Sequence, residues 1–165
     1  MIFGTDSNRN SPLKHLLILY HSQTGKNQIM ADAVFRGTQQ QVVDGVETRL
    51  LRASVAGVED LLWADAVIFG TPENFGYMSG AMKDFFDRVF YPCEGKMEAT
   101  PYAMFIGTGN DGTLAATGLR RIANGLAFKE IQPPVIAVGV LTDEHLEACE
   151  MLGTTVAAGL ELGVF

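Results

Sequence analysis

Short apolar runs alternate along the chain with longer stretches of helical period, and this alternation predicts a parallel sheet with helices on its faces. The runs are His15 to Tyr20 (HLLILY), Val46 to Arg52 (VETRLLR), Ala66 to Gly70 (AVIFG), Tyr102 to Ile106 (YAMFI) and Val135 to Val140 (VIAVGV). Four of the five are nearly continuous apolar stretches, the form of a strand covered on both sides; Val46 to Arg52 is more polar and suits a sheet edge.

The intervening stretches read as helices. Between Met78 and Phe90 the apolar positions Met78, Ala81, Met82, Phe85, Phe86 and Val89 follow the i, i+3, i+4, i+7, i+8, i+11 template throughout. On the opposite side Lys83 with Asp87 and Asp84 with Arg88 form i,i+4 pairs, read as a solvated face. Asn27 to Val43 places Ile29, Met30, Ala33 and Val34 on one side. Gly57 to Trp63 and Gly112 to Gly125 are shorter or weaker helices. Thr142 can cap a last helix whose first turn holds Asp143 and Glu144. No repeat at solenoid spacing occurs.

A length of 165 residues with 47% hydrophobic and 19% charged residues fits one domain with one sizeable core. Residues 15–165 are assigned to it, and residues 1–14, which lack the h-region of a signal peptide, to a flexible N-terminal extension. Lys plus Arg number 12 against 19 Asp plus Glu, a net charge of −7 that disfavours nucleic acid and anionic lipid as partners. No apolar run reaches membrane-spanning length. Cys93 and Cys149 lie far apart with no CxxC and no His at metal-ligand spacing, so free thiols in a reducing cytoplasm and no metal site are expected.

In open α/β sheets, ligands sit beyond the carboxyl ends of the strands, so the turns after the first, third and fourth runs carry the candidate chemistry. After the first comes Ser22-Gln23-Thr24-Gly25-Lys26-Asn27, two hydroxyls and a glycine leading into a helix. It suits either a phosphate or an ordinary capping turn. Tyr20 stands where a Walker A loop needs its first glycine. The third run is followed by Thr71-Pro72-Glu73-Asn74-Phe75-Gly76-Tyr77, whose two aromatics suit a planar ligand or a hydrophobic staple on the next helix. Glu73 reads as a base or as a solvated carboxylate. After the fourth comes Gly107-Thr108-Gly109-Asn110-Asp111-Gly112, a G-x-G-x-x-G whose partner acid, Glu130, precedes the next strand instead of ending it. A flexible cap over a ligand held by the other two turns fits this segment better than a dinucleotide site. His21 is either a charge beside the phosphate or structural, the lone Trp63 reads as core, and no catalytic acid or base stands out.

Together the three turns resemble the flavodoxin-like FMN proteins. Tyr20 to Asn27 is similar to their phosphate loop, with Asn27 in place of the usual final hydroxyl. Ala64 to Pro72, Phe75 to Lys83 and Asp87-Arg88 look like the NAD(P)H-dependent FMN and quinone reductase branch, although Asn74 replaces a frequent basic residue and the tetramer-building insertions are missing. The resemblance implies a three-layer sandwich with a five-stranded parallel sheet in order 2-1-3-4-5. It also implies FMN phosphate on Ser22, Gln23, Thr24, Gly25, Lys26 and Asn27. The flavin ring would lie between Thr71, Pro72, Glu73, Asn74, Phe75, Gly76 and Tyr77 on one side and Gly107, Thr108, Gly109 and Asn110 on the other. The activity implied is an oxidoreductase that uses NAD(P)H to reduce quinones, flavins or similar small acceptors, in a chain that can dimerise. Two alternatives stay open: a flavodoxin-type electron carrier docking a redox protein, and a non-redox flavodoxin fold without FMN.

Overall fold

Why the central strands bury both faces is plain from their alternation in the computed structural model, which describes residues 11–40 and 43–165. Strand β1 (Lys14–Tyr20) sends Leu17 and Leu19 to one face of the sheet and Leu16, Ile18 and Tyr20 to the other. The same split recurs in β3 (Ala66–Asn74), with Val67 and Phe69 against Ala66 and Ile68. In β5 (Pro101–Thr108) it sets Tyr102, Met104 and Ile106 against Ala103 and Phe105. A period of two with apolar residues on both sides requires helices on both sides. Helices α1 (Lys26–Thr38) and α5 (Asp143–Leu162) cover one face; α2 (Val58–Trp63), α3 (Gly80–Cys93) and α4 (Thr113–Gly125) cover the other.

Strand β2 (Val46–Arg52) pairs with β1 alone and is the sheet edge that its polar pattern predicts. At the other edge, β6 (Lys129–Glu130) and β7 (Val135–Val138) both pair with β5. They are two pieces of one edge strand interrupted at Pro133-Pro134, where the ring nitrogens have no hydrogen to donate. A further two-residue strand, β4 (Tyr77–Met78), runs antiparallel to the end of β3. Counting the five long strands, the order β2-β1-β3-β5-β7 is the expected 2-1-3-4-5.

Element ends differ from the sequence pattern for local reasons. Helix α1 stops at Thr38, short of Val43, where the Thr38 hydroxyl donates to the Phe35 carbonyl and Gln39 N–H turns back to Arg36; positions 41 and 42 of the predicted helix lie outside the described residues. Most of the N-terminal extension also lies outside them, and Lys14 already belongs to β1. Helix α3 begins after Met78 because Met78 is paired to Glu73, and Ser79 accepts from Met82 N–H as its cap. Thr142 caps α5 as expected, with the His145 ring closing the reciprocal bond.

Two side chains depart from the sequence reading. Trp63 is half-buried at the rim, lying under the Arg49 guanidinium (3.8 Å) and stacked on His15 (4.4 Å). Arg88 pairs with Asp84 but also donates to the carbonyls of Ala53 (2.7 Å) and Ala56 (2.8 Å), so it fastens the β2–α2 turn to α3. Such charge-assisted bonds are worth about 1.5–3 kcal/mol each when a buried acceptor is left bare. Arg88→Ala is expected to lower stability well beyond the few tenths of a kcal/mol typical of an exposed ion pair, measurable by urea unfolding.

Candidate functional site

The carboxyl ends of β1, β3, β5 and β7 open into one cleft of about 260 Å³, lined by Thr24, Lys26, Asn27, Pro72, Glu73, Asn74, Gly107, Thr108, Gly109 and Gly139. Nine of these ten positions come from the three predicted turns. Gly139 was missed; it follows the last strand, and extending the strand-end rule to that turn finds it.

Residues 22–27 form a tight loop onto the first turn of α1. Gly25, the N-cap, adopts φ +99°, and its N–H donates to Ser22 Oγ at 3.1 Å. The first intrahelical bond is Ile29 N–H to the Gly25 carbonyl, and among the described residues the amides of Lys26, Asn27 and Gln28 meet no acceptor. These are unsatisfied N-terminal donors at the positive end of a helix dipole. A side-chain carbon added at Gly25, Gly109 or Gly139 would meet nothing within 4 Å, so the space beside each is open, and Gly109 and Gly139 line the cleft. The loop therefore offers an anion both donors and room.

The predicted residues play different parts. Asn27 lines the cleft but is almost fully buried, and its Oδ1 accepts from Gly107 N–H at 3.1 Å, so its side chain ties α1 to β5. Thr71 is fully buried: its hydroxyl donates to the Pro72 carbonyl and accepts from Ser79 N–H. Gln23 and Asn110 are exposed, and Asn110 N–H donates to Thr108 Oγ1.

Glu73 is neither a free base nor a solvated carboxylate. Its Oε1 accepts from Thr108 Oγ1 (3.1 Å) and its Oε2 from Ala115 N–H (3.1 Å). The N-cap of helix α4 is Gly112, which has no side chain to cap with, and Glu73 supplies the cap from the end of β3. Glu73 thus holds the G-x-G-x-x-G segment from either side, at Thr108 and at Ala115. Glu130 is spent on a two-pronged pair with Arg120 at 2.7 and 2.9 Å, which removes it as a ribose partner.

The aromatics of the third turn go separate ways. Phe75 and Gly76 form the two-residue tip of the β3–β4 hairpin, both with positive φ (52° and 69°). That pair of dihedrals belongs to a type I′ turn, which favours Asn and Gly and strains Phe. Phe75 projects fully into solvent at the tip, whereas the Tyr77 ring lies over Gly118 of α4, 2.5 Å from where a side-chain carbon would sit. His21 Nδ1 is buried without a partner, and burial, followed by the Arg52 guanidinium, holds its pKa below the ordinary value. Both causes disfavour a charged imidazole beside the loop.

Comparison with known proteins agrees with this geometry. The family model described as NADPH-dependent FMN reductase matches residues 55–143, and one described as flavodoxin-like fold matches residues 14–93. A flavodoxin of Aquifex aeolicus (strain VF5) is 30% identical over 158 residues, covering 86% of this chain and 84% of the relative. Among solved structures, a flavodoxin from the domain Archaea superposes with a TM-score of 0.77 at 19% identity, covering 89% of this chain and 99% of that one. The flavodoxin, WrbA-like protein from Agrobacterium tumefaciens gives a TM-score of 0.74 at 21% identity, over 90% and 98% of the two chains. No described helix is long and apolar enough to cross a membrane.

Proposed function

The chain belongs to the flavodoxin-like FMN proteins, on the side of the NADPH-dependent FMN reductases, and from that premise we propose an oxidoreductase that holds FMN in the strand-end cleft. Electrons would pass from NAD(P)H to a small acceptor such as a quinone or a free flavin. The observation that carries the cofactor assignment is the set of unpaired amides at Lys26, Asn27 and Gln28 beneath an open Gly25. A phosphate dianion is the group that such a helix terminus accepts.

When bound, FMN supplies the redox chemistry itself. The chain's part is to hold and orient it. The N–H groups of the first turn of α1 and the hydroxyl of Thr24 would hold the phosphate. Pro72 and Asn74 on one wall and Gly107 and Gly109 on the other would bound the slot for the ring, with the exposed Phe75 next to Asn74 as a further contact. The two charged side chains that line the cleft, Lys26 and Glu73, are both hydrogen-bonded to protein groups.

Phe75→Ala is expected to weaken FMN binding roughly tenfold, the scale of one aromatic stacking contact. The melting temperature of the ligand-free protein should not fall, because the Phe75 side chain buries nothing. Calorimetric titration alongside thermal melts separates the two. An unchanged affinity would place the ring away from the hairpin.

A second reading, an electron carrier for a protein partner, is favoured by the Aquifex flavodoxin and by the net charge of −7. Anaerobic addition of NADPH to the FMN-loaded protein distinguishes the two. Rapid bleaching of the visible flavin bands supports the reductase; bands that bleach with dithionite and not with NADPH support the carrier.

A further inference from the structure

The Gly107–Thr108 corner is tied to α1, to the end of β3 and to the turn after β7. The Lys26 ammonium donates to the carbonyls of Thr108 (3.3 Å), Ala137 (2.8 Å) and Gly139, reaching from α1 to the ends of β5 and β7. An ammonium has three hydrogens, and three carbonyls take them. Its aliphatic stem crosses Gly107, where a side-chain carbon would come within 3.3 Å of Lys26 Cδ and 3.0 Å of Asn27 Nδ2. From the opposite wall Glu73 spends one oxygen on Thr108 Oγ1 and the other on Ala115 N–H. Gly139 N–H completes the set by donating to the Thr108 carbonyl at 2.9 Å.

Resting on the FMN assignment above, we propose that Lys26 and Glu73 are positioning residues, a pair of opposite charges that bracket Thr108 and set the height of the 107–110 segment against the flavin ring. Lys26 is then not a ligand of the phosphate through its side chain, although its position in the loop suggests one. The bracket connects the phosphate loop to the ring loop, so the two ends of the cofactor meet a site whose spacing is preset.

The test uses Lys26→Met, which keeps the stem and removes the charge, and Glu73→Gln, which keeps one acceptor and loses the other. For each variant, amide hydrogen exchange of residues 107–110 is measured in the ligand-free protein, and dissociation constants are measured for FMN and for riboflavin, which lacks the phosphate. Exchange at Gly109 and Asn110 should accelerate in Lys26→Met, and both flavins should lose affinity by a common factor of roughly ten, as for a lost charge-assisted bond. Glu73→Gln should lie between Lys26→Met and the wild type. The visible band of bound FMN should change shape in Lys26→Met, which general destabilisation would not produce. A loss confined to FMN would make Lys26 a phosphate ligand and overturn the bracket, as would exchange rates and affinities that do not move. A wild-type protein that binds neither flavin would instead overturn the cofactor assignment, while the exchange rates still report whether the bracket exists.

Discussion

Gly25→Asp is expected to reduce FMN affinity at least 100-fold, about 2.7 kcal/mol or more, with little change in the unfolding midpoint. Two effects add. Gly25 sits at φ +99°, a conformation that costs an L residue about 1–2 kcal/mol, so the loop carrying the free amides is distorted. A carboxylate there would also occupy the open space in front of the amides of Lys26, Asn27 and Gln28 and repel a phosphate dianion. The same carboxylate favours the helix N-terminus, which offsets the backbone cost and keeps the fold. Titration of flavin fluorescence measures the effect, and riboflavin, without the phosphate, should lose far less. An affinity for FMN equal to the wild type would remove the phosphate from this loop.

Gly153→Ala is expected to cost about 3 kcal/mol, from overpacking of a tight contact, and to lower the melting temperature by roughly 6–12 °C. Helices α1 and α5 meet backbone to backbone: a side-chain carbon at Gly153 would lie 2.0 Å from the Val34 carbonyl oxygen, and one at Gly37 would lie 2.0 Å from that of Glu150. Neither obstacle is a flexible side-chain end, so the helices must separate. Thr154 donates across the seam to the Gly37 carbonyl at 2.9 Å, and that bond would lengthen with it. The consequence reaches the site, because α1 begins at Lys26 and carries Asn27 against Gly107. Differential scanning calorimetry checks the prediction; a melting temperature within 2 °C of the wild type would mean that the seam yields more easily than its backbone contacts allow.

The central strands were legible because each is buried on both faces and so reads as an apolar run; Val46–Arg52, polar and at the edge, was found with its bounds unchanged. Strands β4 and β6 were not, since two residues carry no period. The break at Pro133-Pro134 was overlooked, although proline in an edge strand is the signal for it. At the site, the three turns were found from strand-end placement and glycine spacing, whereas the duties of individual side chains were not. Lys26 and Asn27 lie in an anion-binding sequence, yet their side chains serve carbonyls and an amide 80 or more positions away. Glu73 caps a helix that starts 40 residues later in the chain. Such pairings depend on which strand ends are neighbours, and no local pattern records them. Phe75 and Tyr77 looked alike in sequence and separate in space because only Tyr77 finds a glycine to lie on.

The most direct measurement is an FMN titration of the purified protein, followed by flavin fluorescence and the visible absorption spectrum, with Gly25→Asp alongside. Saturable quenching with a shifted visible band at a single FMN per chain, weakened at least 100-fold in the variant, is the predicted result. Fluorescence that stays that of free FMN at every concentration, or binding that Gly25→Asp leaves untouched, would contradict the assignment of the cleft to FMN.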